Sequence, residues 1–404
     1  MNNKILQKYN RYLLVYLLLL FSLSVCFLFI KHNTGNDSTM SEWFINYTGG
    51  FTKRGLIGQI SIFFARALDI GLRDIIFYFQ SIILGIYFFL IYLFFKNVFL
   101  DRILLLSIFT PIFLLYPVYE VEVLARKEIF IFIIYIIHIL TLITKPHFSN
   151  FSRVISFLFS VLIWEPILFF LPMWIFLDIV ISKKYYNKIL FSELIYYLPG
   201  LLICMIFILD PLTEPEHSKM AKILKKEFGE TCYMSCSLLL SKSTISQQFT
   251  SNFHAYSFEN IIRYIWIILI GFAPLFLLIY FSKLKINKDR ILNYTKYNLF
   301  VIFLILLSPV ILLFLMGYDW GRWVNISYTF TLLTFLCLMK KNLIILDKNK
   351  LMKHRLNTLS LRNFSLIFII YCFSWSPKTV ITGDIGSFPL YRAIYKVYKI
   401  FLLS

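Results

Sequence analysis

Eleven apolar stretches of this chain are candidate bilayer spans, several of them short of the roughly 20 residues a crossing needs, and few folds can accommodate that many. They lie near 13–30, 75–95, 103–118, 129–144, 154–163, 167–181, 189–209, 261–281, 298–316, 324–339 and 363–376. Apolar residues make up 59% of the 404 and charged residues 15%. Soluble domains hold roughly 45–50% and about 25%. Because hydrocarbon offers no water to satisfy a bare backbone, apolar segments of this kind cross it as helices. The expected fold is all-α: a polytopic integral membrane protein with about eleven transmembrane helices, residues 1–404 forming a single transmembrane domain.

The fifth and sixth stretches are separated at Trp164-Glu165-Pro166, where Pro disfavours helix in the residue before it and Glu is costly at mid-bilayer. Two short half-helices meeting there put Glu165 at the far surface or in a cavity. At the start, Lys4, Lys8 and Arg11 followed by Leu13 to Ile30 resemble a signal peptide. The apolar run is long, however, and no small-residue cleavage pattern follows, so it reads as an uncleaved first helix.

A formal charge of +19 raises the question of nucleic acid, which the distribution of charge answers. With the N-terminus inside, the cytoplasmic segments carry 22 Lys and Arg against 5 Asp and Glu, so nearly the whole excess lies on one face. That is the positive-inside pattern, and it calls for no polyanionic partner. Two external loops result. Residues 31–74 form the first, in which Leu56 to Asp69 reads as an interfacial helix lying flat. Residues 210–260 form a second, larger loop, near the lower size limit of an independent domain.

Only 14 glycines occur, and most fall in external segments. A carrier that rocks between states needs small residues where helices pack and break, and it often shows internal repeats. Phe-, Ile- and Leu-rich helices point instead to a stable scaffold presenting external loops. In the first loop Gly49 and Gly50 precede Lys53, Arg54 and Gly55, a pattern that lets backbone amides and two cations converge on an anion such as pyrophosphate. Between the third and fourth spans, Tyr119 to Glu128 carries Glu120, Glu122, Arg126 and Lys127. If the helix continues there, Glu122 and Arg126 pair at i, i+4. Otherwise Glu120 or Glu122 serves as a carboxylate base and Arg126 or Lys127 as a phosphate ligand. Glu165 has no cation near it in sequence, so desolvation is expected to raise its pKa and make it a proton acceptor.

The last constellation is Gly317-Tyr-Asp-Trp-Gly-Arg-Trp323. Asp319 and Arg322, three apart, either pair with each other or take sugar hydroxyls and phosphate. Trp320 and Trp323 are either interfacial aromatics or ring faces for a pyranose. Metal ligation lacks its usual pattern, since no Cys or His pair has zinc spacing, and no cofactor is implied. Cys232 and Cys236 share an external loop, but four residues apart on a helix is a poor spacing for a disulfide unless the backbone bends. His138 has no evident partner and reads as a core histidine.

Carboxylates, arginines and indoles at the outer surface of a many-span scaffold suit sugar transfer from a polyprenyl-diphosphate donor. The tail needs the bilayer, the diphosphate needs cations, and the attacking hydroxyl needs a base. Asn46-Tyr-Thr-Gly-Gly-Phe-Thr-Lys-Arg-Gly-Leu and Gly-Tyr-Asp-Trp-Gly-Arg-Trp, with the large late external loop, resemble the bacterial O-antigen polymerase family. That resemblance implies a multi-pass protein of the bacterial inner membrane, acting in lipopolysaccharide biosynthesis. It implies a glycosyltransferase that joins undecaprenyl-diphosphate-linked oligosaccharide repeats at the periplasmic face, with membrane lipid and a chain-length regulator as further partners. Arg54, Lys53, Arg126 and Arg322 then hold diphosphate, with Gly49 and Gly50 beside them. Glu165, Glu120 or Asp319 activates the acceptor hydroxyl, while Trp320 and Trp323 shape the glycan groove. The alternatives are a flippase for the same lipid-linked unit, or another polyprenyl-phosphate-dependent membrane glycosyltransferase.

Overall fold

Helix accounts for 79% of the computed structural model, and its few strands are two or three residues long. The structure describes residues 3–33, 38–98, 101–144, 149–182, 187–232, 234–237, 239–240, 245–284, 298–383 and 386–387. Two compact units are interleaved along the chain, the first from 1–98 and 122–244, the second from 99–121 and 245–404. The first unit contains α1 (Asn3–Asn33), α2 (Ser38–Trp43), α3 (Gly55–Leu68) and α4 (Leu72–Phe95). The chain then supplies α5 (Arg102–Phe109) and α6 (Tyr116–Tyr119) to the second unit. It returns to the first unit with α7 (Glu128–Thr144), α8 (Ser149–Ile163), α9 (Leu171–Ser182), α10 (Asn187–Leu209), α11 (Glu214–Phe228) and α12 (Met234–Ser237). The second unit closes with α13 (Ile245–Asn252), α14 (Phe258–Tyr280), α15 (Leu299–Leu307), α16 (Ile311–Met316), α17 (Trp320–Lys340), α18 (Lys348–Lys353), α19 (Arg355–Thr358) and α20 (Leu361–Phe373).

Each of the eleven apolar stretches contains a helix, but four helices among the described residues are long and apolar enough to cross a membrane, or five counting one bent pair. The four are Leu6–Asn33, Leu72–Phe95, Phe258–Tyr280 and Leu299–Met316. The pair is α10 and α11, which meet at 100°. Pro211 and the Thr213 capping box, in which Glu216 bonds back to the Thr213 amide at 2.9 Å, end one helix and start the next. Two of the remaining stretches are shortened by breaks of the same local kind, Thr110-Pro111 after α5 and Trp164-Glu165-Pro166 after α8, whereas α17 runs unbroken for 21 residues.

In the first unit α1 packs on α4, α4 on α7, α7 on α8, and α8 on α10. A buried polar knot ties α7, α8, α9 and α10 together. Asp178 forms an ion pair with Arg153, Nε lying 3.1 Å away, and accepts from the Tyr197 hydroxyl and from His138 Nε2 at 3.2 Å, and all four side chains are buried. His138, expected to lack a partner, also meets Ser152 Oγ at 3.2 Å and stacks on Trp174. The knot escaped the sequence reading because its members are spread from 138 to 197.

The second unit is built around α17, buried from Trp320 to Leu338. Its polar residues serve the breaks in neighbouring helices. Asn325 Nδ2 donates to the carbonyls of Ile112 and Phe113 at 2.8 and 3.0 Å, and the Tyr328 hydroxyl donates to Ser107 at 2.6 Å. Pro274 deprives the Ile270 carbonyl of its helical donor, and the Tyr371 hydroxyl takes that place at 3.0 Å. Asn325→Leu keeps the volume but strands two buried carbonyls, so it is expected to cost about 1–3 kcal/mol for the stranded pair. Thermal unfolding of the purified protein in one detergent checks this, and an unchanged midpoint contradicts it.

Candidate functional site

Four helix breaks in the first unit converge on one cluster of charges. The last turn of α2 supplies Glu42, whose carboxylate is fully buried. The turn before α3 supplies Lys53 and Arg54, the segment before α7 supplies Arg126 and Lys127, and the break after α8 supplies Glu165. A chain can point a polar group inward most easily where it leaves helical geometry, because a continuing helix would carry the next apolar residue there.

Arg54 lies at the centre. Its Nε sits 2.8 Å from Glu165 Oε2 and its Nη2 2.8 Å from Oε1, a two-pronged grip, while Nη1 stands 3.5 Å from Glu42 Oε1. Arg126 Nε donates to the other Glu42 oxygen at 3.0 Å. Lys127 Nζ donates to the Arg54 carbonyl at 2.5 Å. Two non-glycine residues here have left-handed backbone, Arg54 at φ 63° and Ala125 at φ 53°. Each such residue costs of order 1–3 kcal/mol and persists where its surroundings hold it. Ala125 is held by its carbonyl, which accepts from Trp43 Nε1 at 3.0 Å and from Gln80 Nε2 at 3.4 Å.

This turn at Ala125 overrides the helical pairing expected of Glu122 and Arg126. Glu122 bonds to Lys31 at 2.9 Å and Arg126 turns to Glu42. The expected pKa of Glu165 is also overturned. Burial opposes its ionisation, but the charge and hydrogen bonds of Arg54, with Lys53 beyond, hold the carboxyl below its ordinary value. Burial pushes the Lys127 ammonium down to about 7, Glu42 and Glu165 opposing and Arg54 assisting. Lys53 is lowered by burial too, against the pull of Glu165.

Gly49 and Gly50 lie in close packing with α11. A Cβ on Gly49 would overlap the Glu216 carbonyl of α11, and one on Gly50 would crowd the Glu216 carboxylate. Both glycines let the start of α11 lie against this turn. Nearby, Cys232 and Cys236 form a disulfide with Cα atoms 5.7 Å apart. Cys232 precedes α12, which supplies the bend the spacing needed. Ser235 between them meets Ser41 of α2 at 3.0 Å.

The other anticipated residues lie in the second unit. Arg322 Nη1 donates to Asp319 at 2.7 Å, so these two pair with each other, and the guanidinium lies 5.1 Å from the Trp323 ring centroid. Trp320 and Trp323 are buried, at 9% and 7% exposure. Trp320 donates to the Phe314 carbonyl at 2.7 Å and packs against Tyr256, Tyr264 and Phe314. A segment that the sequence did not single out straps this motif. Gly321 N donates to Thr379 at 3.1 Å and Ile381 N to Tyr318 at 2.9 Å, and a Cβ on Gly321 would overlap the Lys378 carbonyl. Lys378 Nζ then reaches Glu120 at 3.1 Å. Glu120 and Asp319 both lie in Coulombic reach of Tyr116 and Tyr264.

Lys53, Arg54, Arg126 and Glu165 are thus gathered in one unit, and Glu120, Asp319, Trp320, Arg322 and Trp323 in the other. Glu42 and Lys378 were missed. The one hint of Glu42 was its place beside Trp43, at the head of the glycine-rich segment. No family model, curated protein or solved structure matches this chain.

Proposed function

We propose that this chain is a bacterial inner-membrane glycosyltransferase of the O-antigen polymerase type, its eleven apolar segments serving as spans. It would join undecaprenyl-diphosphate-linked oligosaccharide repeats on the outer side. The observation that carries this reading is the convergence of Lys53, Arg54, Arg126 and Lys127 with Glu42 and Glu165 where helices end and begin, with Arg54 itself and Ala125, the neighbour of Arg126, in left-handed backbone. Cations so closely fixed suit an anion with several oxygens, and apolar helices around them suit a lipid tail.

In this reading the acceptor hydroxyl attacks the sugar carbon of the donor, its oxygen forms the new glycosidic bond, and the carbon–oxygen bond to the diphosphate breaks. The departing diphosphate takes the electron pair, and the arginines and lysines stabilise that charge. Glu165 and Glu42 keep the guanidiniums in place beforehand, and a diphosphate competes with Glu165 for the Arg54 fork. The hydroxyl's proton goes to a carboxylate of the same unit, Glu165, once the diphosphate has taken the Arg54 fork from it.

Arg54→Lys keeps the charge but loses the two-pronged grip, so it is expected to abolish or severely shorten glycan ladders in a strain that otherwise makes single-repeat lipopolysaccharide. The readout is the ladder from cells expressing the variant at the wild-type level. Full-length ladders from Arg54→Lys and from Glu165→Gln, both well expressed, would remove this site from the reaction.

A further inference from the structure

Lys127 is fully buried and stands outside the ion pairs that join the two arginines to the two glutamates. Its ammonium is spent on a backbone carbonyl, that of Arg54, the residue whose left-handed conformation aims the guanidinium at Glu165. The charged groups that face it are Glu42 from α2, Arg54 from the turn before α3, Glu165 from the break after α8, and Glu128 from the first turn of its own helix. A buried lysine among fixed charges of both signs can change protonation without leaving its place, since both the ammonium and the neutral amine carry an N–H for the carbonyl.

We infer that Lys127 is a positioning residue that makes anion binding at the Arg54 cluster depend on pH. In either state it fastens the Arg54 peptide and so fixes the guanidinium. Protonated, it also adds a positive charge inside a site sheltered from water, and deprotonated it withdraws that charge while the fastening stays. The depressed pKa that burial gives Lys127 places this change near neutrality. One unit charge a few ångströms from an anion in a partly buried site is worth on the order of tenfold in affinity or more.

This inference rests on the diphosphate reading, and the test separates the two. The probe is P1,P2-dimethyl diphosphate, whose two negative charges are constant between pH 6 and 9, titrated calorimetrically into the full-length protein in nanodiscs. Wild type is expected to bind about tenfold more weakly at pH 8.5 than at pH 6. Lys127→Arg, which stays charged, is expected to bind with little change over that range, and Lys127→Met to bind weakly throughout. Wild-type affinity that is flat with pH, or the same slope in wild type and Lys127→Arg, overturns the role of Lys127 and leaves the diphosphate site standing. Absence of binding to wild type at every pH removes the diphosphate reading, and this inference with it. Should Lys127→Met fail to fold, the comparison of wild type with Lys127→Arg still decides, and a flat wild-type profile overturns the role without any variant.

Discussion

Replacing Asp178 by Leu is expected to cost the first unit about 3–5 kcal/mol, because it leaves the Arg153 guanidinium buried without its counter-charge. Asp178 receives Arg153, Tyr197 and His138 together, so one substitution unties α7, α8, α9 and α10 at once. Arg153 cannot relax into solvent, since it is 1% exposed, and its further contacts include an Asn150 bond at 3.1 Å and the Tyr196 ring. The pair as a whole contributes much less than its breakage costs, since each charge gave up its hydration on burial. Asp178→Leu with Arg153→Met should therefore recover most of the loss. Thermal or denaturant unfolding of the four species in one detergent completes the cycle. A single substitution costing under about 1 kcal/mol would mean that water reaches the knot.

Arg54→Met is the second large effect, expected at about 3–5 kcal/mol by the same mechanism. Glu165 loses both prongs, and Glu42 keeps Arg126 but loses its second cation. The pH dependence should change sign along with the stability. In wild type the folded pKa of Glu165 is depressed, so its contribution is present above the ordinary carboxylate range and is lost as pH falls through the lowered value. Without Arg54, burial raises that pKa, and stability should instead fall as pH rises through it, since the folded state then holds the proton more tightly. Glu165→Gln in the Arg54→Met background removes the charge and should restore part of the stability and flatten the profile. Unfolding midpoints of the three variants between pH 4 and 8 measure this, and parallel profiles for wild type and Arg54→Met would contradict it.

Much of the framework could be read in the chain itself. The helix break at Trp164-Glu165-Pro166 and the end of α10 before Pro211 follow from local chemistry, as does the helix that begins at Gly55, whereas the break at Thr110-Pro111 interrupts a stretch expected to run unbroken from 103 to 118. The pairing of Asp319 with Arg322 lies within one helical turn and was among the readings open to sequence. The pairing of Glu122 with Arg126 looked equally local, and a single left-handed residue, Ala125, undid it. Nothing in an alanine announces a positive φ, because the packing that holds its carbonyl comes from Trp43 and Gln80.

What the sequence determined by itself was therefore the element: its apolar stretches are helical, and some of their ends fall at proline or glycine, although α10 and α14 run through Pro199 and Pro274. Only the tertiary structure decided which charge meets which. Arg54 and Glu165 lie 111 residues apart, Arg126 and Glu42 lie 84 apart, and Asp178 draws its three partners from three other helices. Periodicity registers neighbours within a turn or two, whereas an ion pair across the fold depends on how breaks in separate helices come to lie together. For that reason Glu165 could be recognised as costly from its neighbours, but its ionised state was settled by an arginine far away in the chain.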